Sequence, residues 1–338
     1  MCTNRFILLK PIPISEKKSK KRYIDAISDA LKLALDKYPN LILMGQDIAE
    51  YGGAFKITDG FVQKYGKERV RNTPLCESAI VGTAFGLSIN GYKAMVEMQF
   101  ADFVSEAMTQ IVNNLAKSHY RWGQHADVVV RMPTGAGTGA GPFHSQSNEA
   151  WFFHTPGLKI VYPAFPYDAK GLLLTAFEDP NPVMYFEHKY LYRTIEQEIP
   201  DDYYTLPFGK ASVVKEGGNL SVITYGLGVH WALKLAEEHP ELDMEIVDLR
   251  TLLPLDKETI FKSVKKTGKV IVLNEDTLTG SISAEIAALI SEYCFEYLDA
   301  PVMREGSLDT PVPMNKELEE NFLPGKRFRE KVFLLNQY

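Results

Sequence analysis

Short apolar runs without polar alternation recur along the chain, and each is followed by apolar residues at helical spacing. Residues 41–44 and 128–130 are the clearest of these runs. A strand that lacks alternation is buried on both faces, which is typical of a parallel sheet covered by helices. The repeated exchange of strand and helix therefore predicts an α/β fold with a mostly parallel sheet and right-handed crossovers.

The alternation breaks down once, between residues 196 and 208, where acidic residues and prolines replace the apolar pattern. A fresh series of strands and helices begins after it. A length of 338 residues also exceeds what a single core usually supports. We therefore predict a flexible lead-in over 1–22, a doubly wound domain over 23–195, a linker over 196–208 and a smaller α/β domain over 209–338.

The composition excludes several kinds of partner. The net charge is −6 and no basic face dominates, which argues against nucleic acid. No apolar run reaches the roughly 18 residues that a membrane span needs. The three cysteines lie far apart and form no metal-binding pair, so we predict a reducing compartment and no zinc site.

Polar side chains follow four separate strands of the predicted sheet. They are Gln46, Glu77, Gln99 and the loop histidine His144. Ligands of open parallel sheets bind outside the carboxyl ends of the strands. The coincidence of these four positions predicts a functional site at that edge of the first domain.

Glu77 and His144 each allow a second interpretation. Glu77 lies where an apolar helix begins, so its charge could simply complement the helix dipole. A glutamate placed against apolar surface is otherwise either paired with a partner or used as an acid. A loop histidine such as His144 is most often only solvated, but histidine is also the commonest acid–base group of active sites.

The glycine-rich loop before His144 contains a fragment of a dinucleotide-binding pattern, with Gly135, Gly137 and Ala140 at the required spacing. The full pattern needs a helix that opens directly on the loop and an acidic residue about twenty positions later. Here Pro142 interrupts the loop, and that acidic residue is missing. The alternative is a loop with positive φ angles that presents His144 over a cleft.

Several separate blocks of the sequence match one family in the same order. The blocks are 72–77 (NTPLCE), 99–103 (QFADF), 144–150 (HSQSNEA), 156–159 (PGLK) and 168–172 (DAKGL). Together they resemble the β subunit of thiamine-diphosphate-dependent 2-oxoacid dehydrogenases over about residues 23–335. The residues in these blocks are most similar to those of the branched-chain 2-oxoacid type, and pyruvate-type β subunits share many of them. The resemblance implies a pyrimidine-binding domain of transketolase type followed by a transketolase C-terminal-type domain.

The resemblance also implies roles for the matched residues. Glu77 corresponds to the glutamate that hydrogen-bonds N1′ of the aminopyrimidine, which favours the tautomer that removes the thiazolium proton. Phe103 corresponds to the stacking aromatic residue, usually a tyrosine in the branched-chain type. Phe100 and His144 correspond to substrate positions, and His144 handles protons or substrate during acyl transfer to a lipoyl group. The remaining cofactor contacts are Leu75, Cys76 and Gln99.

The resemblance also includes one departure from the family pattern and one candidate cation site. Relatives usually carry a glutamate before the aspartate of Gly-Glu-Asp, whereas this chain has Gln46. Glutamine can hydrogen-bond the cofactor region but cannot carry a charge. Asp179 and Asn181, with the carbonyl of Ala176, correspond to a monovalent-cation site of some members of the family, and the resemblance implies K⁺ as its ion.

The magnesium-diphosphate signature of the family, Gly-Asp-Gly followed by Asn, does not occur in this sequence. The resemblance therefore implies that Mg²⁺ and the diphosphate are held by an α subunit or a fused α half. It also implies a homodimer of the β part, a lipoyl acyltransferase partner, and a location in the bacterial cytoplasm or the mitochondrial matrix. The alternatives are another thiamine enzyme, of transketolase or deoxyxylulose-phosphate synthase type, and a nucleotide-binding α/β module.

Overall fold

Two α/β units make up the chain in the computed structural model, which describes residues 17–338. The strands of the first unit are β1 (Lys18–Arg22), β2 (Leu41–Gly45), β3 (Val70–Asn72), β4 (Lys93–Glu97), β5 (Val128–Thr134), β6 (Lys159–Val161), β7 (Val183–His188) and β8 (Glu196–Pro200). Its helices are α1 (Tyr23–Lys37), α2 (Phe61–Tyr65), α3 (Glu77–Ile89), α4 (Ala116–Trp122), α5 (Ala150–Phe153), α6 (Pro166–Glu178) and α7 (Leu191–Thr194).

The second unit repeats the alternation on a smaller scale. Its strands are β9 (Ser212–Lys215), β10 (Leu220–Thr224), β11 (Met244–Asp248), β12 (Thr251–Leu253), β13 (Val270–Thr277) and β14 (Met303–Ser307). Its helices are α8 (Leu227–Glu238), α9 (Lys257–Thr267), α10 (Ile282–Tyr293), α11 (Lys316–Phe322) and α12 (Gly325–Asn336). Within residues 17–338, every helix is too short or too polar to span a bilayer.

The sheet of the first unit has seven strands in the order β12-β6-β7-β5-β4-β2-β3. All pairings are parallel except that of β12 with β6, which confirms the predicted mostly parallel sheet. Strands β2 and β5 are buried along their whole length, as their lack of alternation predicts. The edge strand β12 comes from the second unit, so the two units share one sheet.

The second sheet has five strands in the order β14-β13-β10-β11-β9, and only β9 runs antiparallel. The apolar runs at residues 220–224 and 244–248 predict strands, and β10 and β11 have these bounds. One buried apolar cluster continues from Val130 and Phe186 of the first unit to Ile223 and Val247 of the second. Because residues of both units belong to one apolar cluster, the second unit is packed against the first.

The predicted lead-in and linker contain a small sheet that the sequence pattern does not reveal. Strand β1, at the end of the lead-in, pairs antiparallel with β8, at the start of the linker. Each strand is polar, and their pairing is reinforced by the ion pair of Lys20 with Glu196. A polar strand has no apolar periodicity, so the sequence pattern does not indicate the strands at residues 18–22 and 196–200. Residues 1–16 of the lead-in lie outside the described residues.

Apolar residues at helical spacing predict one regular helix over about residues 103–117, after β4. The structure has a 3₁₀ helix over Ala101–Ala107 and a π-helical stretch over Gln110–Leu115 before α4 begins. The predicted apolar face is nevertheless buried at Val104, Ile111 and Leu115. Departures of this kind are frequent at functional sites, and this one determines where Phe103 lies.

Candidate active site

Four neighbouring parallel strands, β3, β2, β4 and β5, end at one edge of the first sheet. Glu77 follows β3, Gln46 follows β2 and Gln99 follows β4, while His144 lies in the long connection after β5. This is the arrangement that the order of strands and polar residues predicts. The edge therefore gathers the candidate residues from four separate stretches of the chain.

Glu77 is hydrogen-bonded to Gln46 at this edge. Nε2 of Gln46 donates to Oε1 of Glu77 across 3.0 Å. Glu77 is the first residue of α3 and is half-buried, whereas Gln46 is only 3% exposed. Oε1 of Gln46 is buried and has no partner within residues 17–338. Glu77 is thus both the first-turn acid that the helix dipole favours and a paired carboxylate.

An aromatic cluster surrounds His144. The ring of Phe100 meets the imidazole edge-on, with 4.6 Å between centroids, and Phe103 approaches it at 5.5 Å. Phe55 packs against Phe100 at 5.5 Å. The structure therefore brings together His144, Phe100 and Phe103, all of which the sequence singles out, and adds Phe55, whose loop has no pattern that would indicate it.

Leu75 and Cys76 lie directly before Glu77 and are exposed. The side chain of Leu75 is 81% exposed, an unusual state for a leucine next to a candidate site. Cys76 is a free, exposed cysteine at the N-terminal end of α3. Gln99 is half-buried at the end of β4. Leu75 and Cys76 thus lie next to Glu77 in the chain, and Gln99 follows a neighbouring strand at the same edge of the sheet.

The glycine-rich loop adopts the positive φ angles that its composition predicts, at Gly135, Gly137, Gly139 and Gly141. Gly135 is also sterically required, because a Cβ atom there would lie 2.1 Å from Nε2 of His188. No helix opens on the loop, since α5 begins only at Ala150. A dinucleotide-binding turn needs that helix, so the geometry disfavours the nucleotide-binding alternative.

The candidate cation residues show a competing contact. Oδ1 of Asp179 accepts a hydrogen bond from Nζ of Lys159 at 3.0 Å and from N–H of Asn181 at 2.9 Å. Ala176 is fully buried in α6. A monovalent cation would therefore share Asp179 with an ammonium group. Within residues 17–338, no group of three or more His, Cys, Asp or Glu side chains is arranged to hold a metal ion.

Beneath the site lies a buried ion network that sequence reasoning missed. The Arg131 guanidinium binds Glu187 through two hydrogen bonds of 2.6 and 2.7 Å and Glu97 through a third of 2.6 Å. Burial raises the pKa of Glu97, against the lowering effect of Arg131. The three residues occur in strands β5, β7 and β4. In the sequence, this network could have been found from charged residues of opposite sign within otherwise apolar strands.

A second missed group lies between the two units. The Glu275 carboxylate of β13 accepts a 2.6 Å hydrogen bond from Nε2 of His188, and both side chains are buried. Tyr225 donates from its hydroxyl to Oε1 of Glu149 at 2.8 Å. Burial raises the pKa of Glu149 to about 8. Acidic residues of both units therefore converge behind the His144 segment, although the sequence of the second unit shows no such convergence.

Two family models match the chain. The model described as "Transketolase, pyrimidine binding domain" matches residues 19–194, and "Transketolase, C-terminal domain" matches residues 209–327. A solved structure titled "Split gene transketolase, inactive beta4 tetramer" has a TM-score of 0.76 at 23% identity, with 94% of this chain and 98% of that chain covered. The fold is thus that of the transketolase class, a pyrimidine-binding domain followed by a C-terminal domain.

Curated relatives narrow this class. The "2-oxoisovalerate dehydrogenase subunit beta" of Bacillus subtilis (strain 168) is 48% identical over 308 residues, which cover 89% of this chain and 94% of that protein. The "Pyruvate dehydrogenase E1 component subunit beta" of the same organism is 42% identical, covering 90% and 94%. An Arabidopsis thaliana protein, "2-oxoisovalerate dehydrogenase subunit beta 2, mitochondrial", is 42% identical, covering 93% and 88%. The chain belongs to the family of 2-oxoacid dehydrogenase β subunits.

Proposed function

We propose that this chain is the β part of a decarboxylating 2-oxoacid dehydrogenase, which oxidatively decarboxylates a 2-oxoacid and transfers the acyl group to lipoyl groups. A branched-chain 2-oxoacid is the favoured substrate and pyruvate the next. The observation that carries the proposal is the Glu77–Gln46 hydrogen bond at the strand edge that also bears the aromatic cluster around His144. The names of the 2-oxoisovalerate dehydrogenase relatives support the branched-chain preference.

The residues at the strand edge fit the pyrimidine half of thiamine diphosphate. The aminopyrimidine needs a carboxylate, further polar groups and an aromatic face. Glu77 supplies the carboxylate, the partnerless Oε1 of Gln46 supplies a buried acceptor, and Phe103 supplies a face for stacking. When bound, thiamine diphosphate supplies the nucleophilic carbon and the electron sink for decarboxylation. The other proposed contacts are Leu75, Cys76 and Gln99.

Glu77 exchanges a proton with the pyrimidine ring in this proposal, and Gln46 orients its carboxylate through the 3.0 Å hydrogen bond. His144 holds or moves a proton at the substrate during acyl transfer. Phe100 and Phe103 contact the imidazole edge-on, which fixes its orientation and excludes water. Phe100 also contributes apolar surface against the oxoacid side chain.

The diphosphate end of the cofactor is proposed to bind to another polypeptide or to a fused α half. Its Mg²⁺ would be held there as well. The full chain without an α part should therefore bind thiamine diphosphate weakly. A bound K⁺ at Ala176, Asp179 and Asn181 is a further proposal, to be tested by whether K⁺ raises the melting temperature more than Na⁺.

The assembly is proposed to be an α2β2 heterotetramer, or a dimer of fused chains, that docks a lipoyl acyltransferase. The exposed Leu75 beside the site supports a partner on that face. We further propose the bacterial cytoplasm or the mitochondrial matrix as its location. The mitochondrial names of plant and slime-mould relatives support the second of these.

The test assays the chain assembled with an α part, with branched-chain 2-oxoacids and pyruvate as substrates and a lipoyl domain as acceptor. Formation of the acyl-lipoyl product is the expected result. Ketol transfer between sugar phosphates instead would establish the transketolase-type alternative, which the fold of the split-gene transketolase permits. Binding of NAD to the chain alone would revive the nucleotide-binding alternative, which the geometry of the glycine loop disfavours.

A further inference from the structure

The segment that carries His144, residues 135–147, is called the His144 loop below. Glu319 of α11, in the second unit, binds the backbone of this loop. Its Oε1 accepts from N–H of Gly137 at 2.9 Å, and its two oxygens accept from N–H of Gly139 at 3.3 and 3.1 Å. Glu319 is 4% exposed. A buried carboxylate of the second unit thus occupies loop N–H groups that could otherwise bind an anion such as phosphate.

Glu275 of β13 binds the same loop at both of its ends. Its Oε1 accepts from N–H of Ala136 at 2.7 Å and from the hydroxyl of Ser147 at 3.3 Å. Its Oε2 accepts from Nε2 of His188. N–H of Tyr190 donates to Nδ1 of His188 at 3.2 Å, which leaves the proton on Nε2 for Glu275. The carboxylate is therefore fixed by His188 while it holds the two ends of the loop.

Groups of the first unit complete the support. Oδ1 of Asp102 accepts from N–H and Nε2 of Gln146 at 3.1 and 3.0 Å. Nζ of Lys189 donates to the carbonyl of Gly135 at 2.6 Å. The ammonium charge of Lys189 is attracted to Asp102, Glu275 and Glu319, although burial lowers its pKa to about 8. The charges around the loop are thus partly balanced, which reduces the cost of burying them.

Apolar contacts and a close approach tie the same loop to the second unit. Ala136 is fully buried with Val312 and Phe322, both from the second unit. A Cβ atom at Gly141 would lie 2.4 Å from Met314. His144 follows Gly141 by three residues. Its ring lies against Phe100 and Phe103 of the first unit. The second unit therefore helps to hold the backbone from which the imidazole reaches Phe100 and Phe103.

We propose that Glu319 and Glu275 of the C-terminal domain are positioning residues for His144, so that this domain sets the geometry of the active site. The inference rests on the proposed function of His144. It gives the second domain a role in the reaction. Charge-assisted hydrogen bonds to backbone N–H groups are about twice as strong as neutral ones, which suits carboxylates to this task.

The experiment centres on Glu319, because both of its hydrogen-bond partners are loop N–H groups. In Glu319→Gln, one end of the side chain becomes a donor and cannot accept from Gly139. Hydrogen exchange of the full chain should then be faster by about 10-fold or more at Gly137 and Gly139. Glu320→Gln, an exposed position of the same helix, is the matched control and should leave exchange unchanged.

Activity is measured with the chain assembled with its α part and a lipoyl-domain acceptor. Glu319→Gln should lower kcat of the overall reaction by roughly 10- to 100-fold, with KM for the oxoacid unchanged. Glu319→Asp, which keeps the charge, should restore part of the rate. The double variant Glu319→Gln/His144→Ala should be no slower than His144→Ala alone, because the two changes remove the same contribution.

The outcomes separate the two proposals. Unchanged loop exchange in Glu319→Gln, or additive losses in the double variant, would overturn the positioning role while leaving His144 in the mechanism. Full activity of His144→Ala would overturn the proposed role of His144 and the positioning role with it. A loss of kcat that Glu319→Asp does not relieve at all, with a lowered melting temperature, would show a purely structural role and overturn the inference.

Discussion

Nε2 of Gln46 donates to Oε1 of Glu77 across 3.0 Å, and the two residues follow the paired parallel strands β2 and β3. The family resemblance leads us to expect a glutamate at position 46. Two carboxylates at this distance would repel each other unless they shared a proton. The amide instead gives Glu77 a hydrogen-bond donor without a second charge.

Replacing Gln46 by Leu should slow exchange of the cofactor C2 proton by about 10-fold in the assembled enzyme, because a hydrogen bond to a carboxylate is lost. The exchange is followed by NMR after quenching in acid. Gln63→Leu, at an exposed position of α2, serves as the control. An exchange rate equal to that of the unchanged enzyme would show that the Gln46–Glu77 hydrogen bond does not contribute to proton removal.

Replacing Glu77 by Gln should slow the same exchange by at least about 100-fold, because general acid–base groups contribute that much or more. The fold should remain intact, since Glu77 is half-buried and an isosteric amide fills the same space. Circular dichroism checks this point. Glu68→Gln, whose carboxylate is exposed, should exchange normally. Normal exchange in Glu77→Gln would remove this residue from the mechanism.

The sequence predicts much of the fold because burial leaves a clear periodicity. The apolar spacing of residues 23–37 predicts a helix with the bounds of α1, and strands β10 and β11 also have their predicted bounds. Strand β12 escapes prediction, because three residues cannot establish a period, and it pairs with β6 of the other unit only in the folded chain. The sheet of β1 and β8 escapes for a related reason, since both strands are polar.

The candidate site is predictable only in part. Glu77, Gln99 and His144 could be found because polar residues that follow apolar strands collect at one edge of a parallel sheet. Glu275 and Glu319 could not, since each acts over 130 to 180 residues of sequence through loop N–H groups that any residue carries. Backbone partners leave no trace in the sequence.

Replacing Arg131 by Met should lower the free energy of unfolding by about 3–5 kcal/mol, because Glu97 and Glu187 would remain buried without their cation. Urea denaturation of the full chain measures the loss. Lys234→Met breaks an exposed ion pair with Glu238 and should cost less than about 1 kcal/mol. Equal losses in the two variants would show that the buried network adds nothing beyond a surface pair.

Replacing Glu149 by Gln should stabilise the chain at pH 8 and flatten the pH dependence of its stability. Burial and the nearby Asp276 charge raise the pKa of Glu149 from 4.5 to about 8. Between these values the folded chain keeps a proton that the unfolded chain releases, so this group makes stability fall as pH rises. Glutamine cannot ionise, yet its Oε1 can still accept from the Tyr225 hydroxyl.

The comparison needs melting temperatures at pH 5 and pH 8 for the unchanged chain, Glu149→Gln and the exposed control Glu285→Gln. Glu149→Gln should melt several degrees higher than the unchanged chain at pH 8, because one kcal/mol corresponds to roughly 2–4 °C in a protein of this size class. The gain should be smaller at pH 5, where Glu149 is already protonated in the folded state. An equal gain at both pH values would mean that packing, and not ionisation, distinguishes the two side chains, because the proton-linked term vanishes only at low pH.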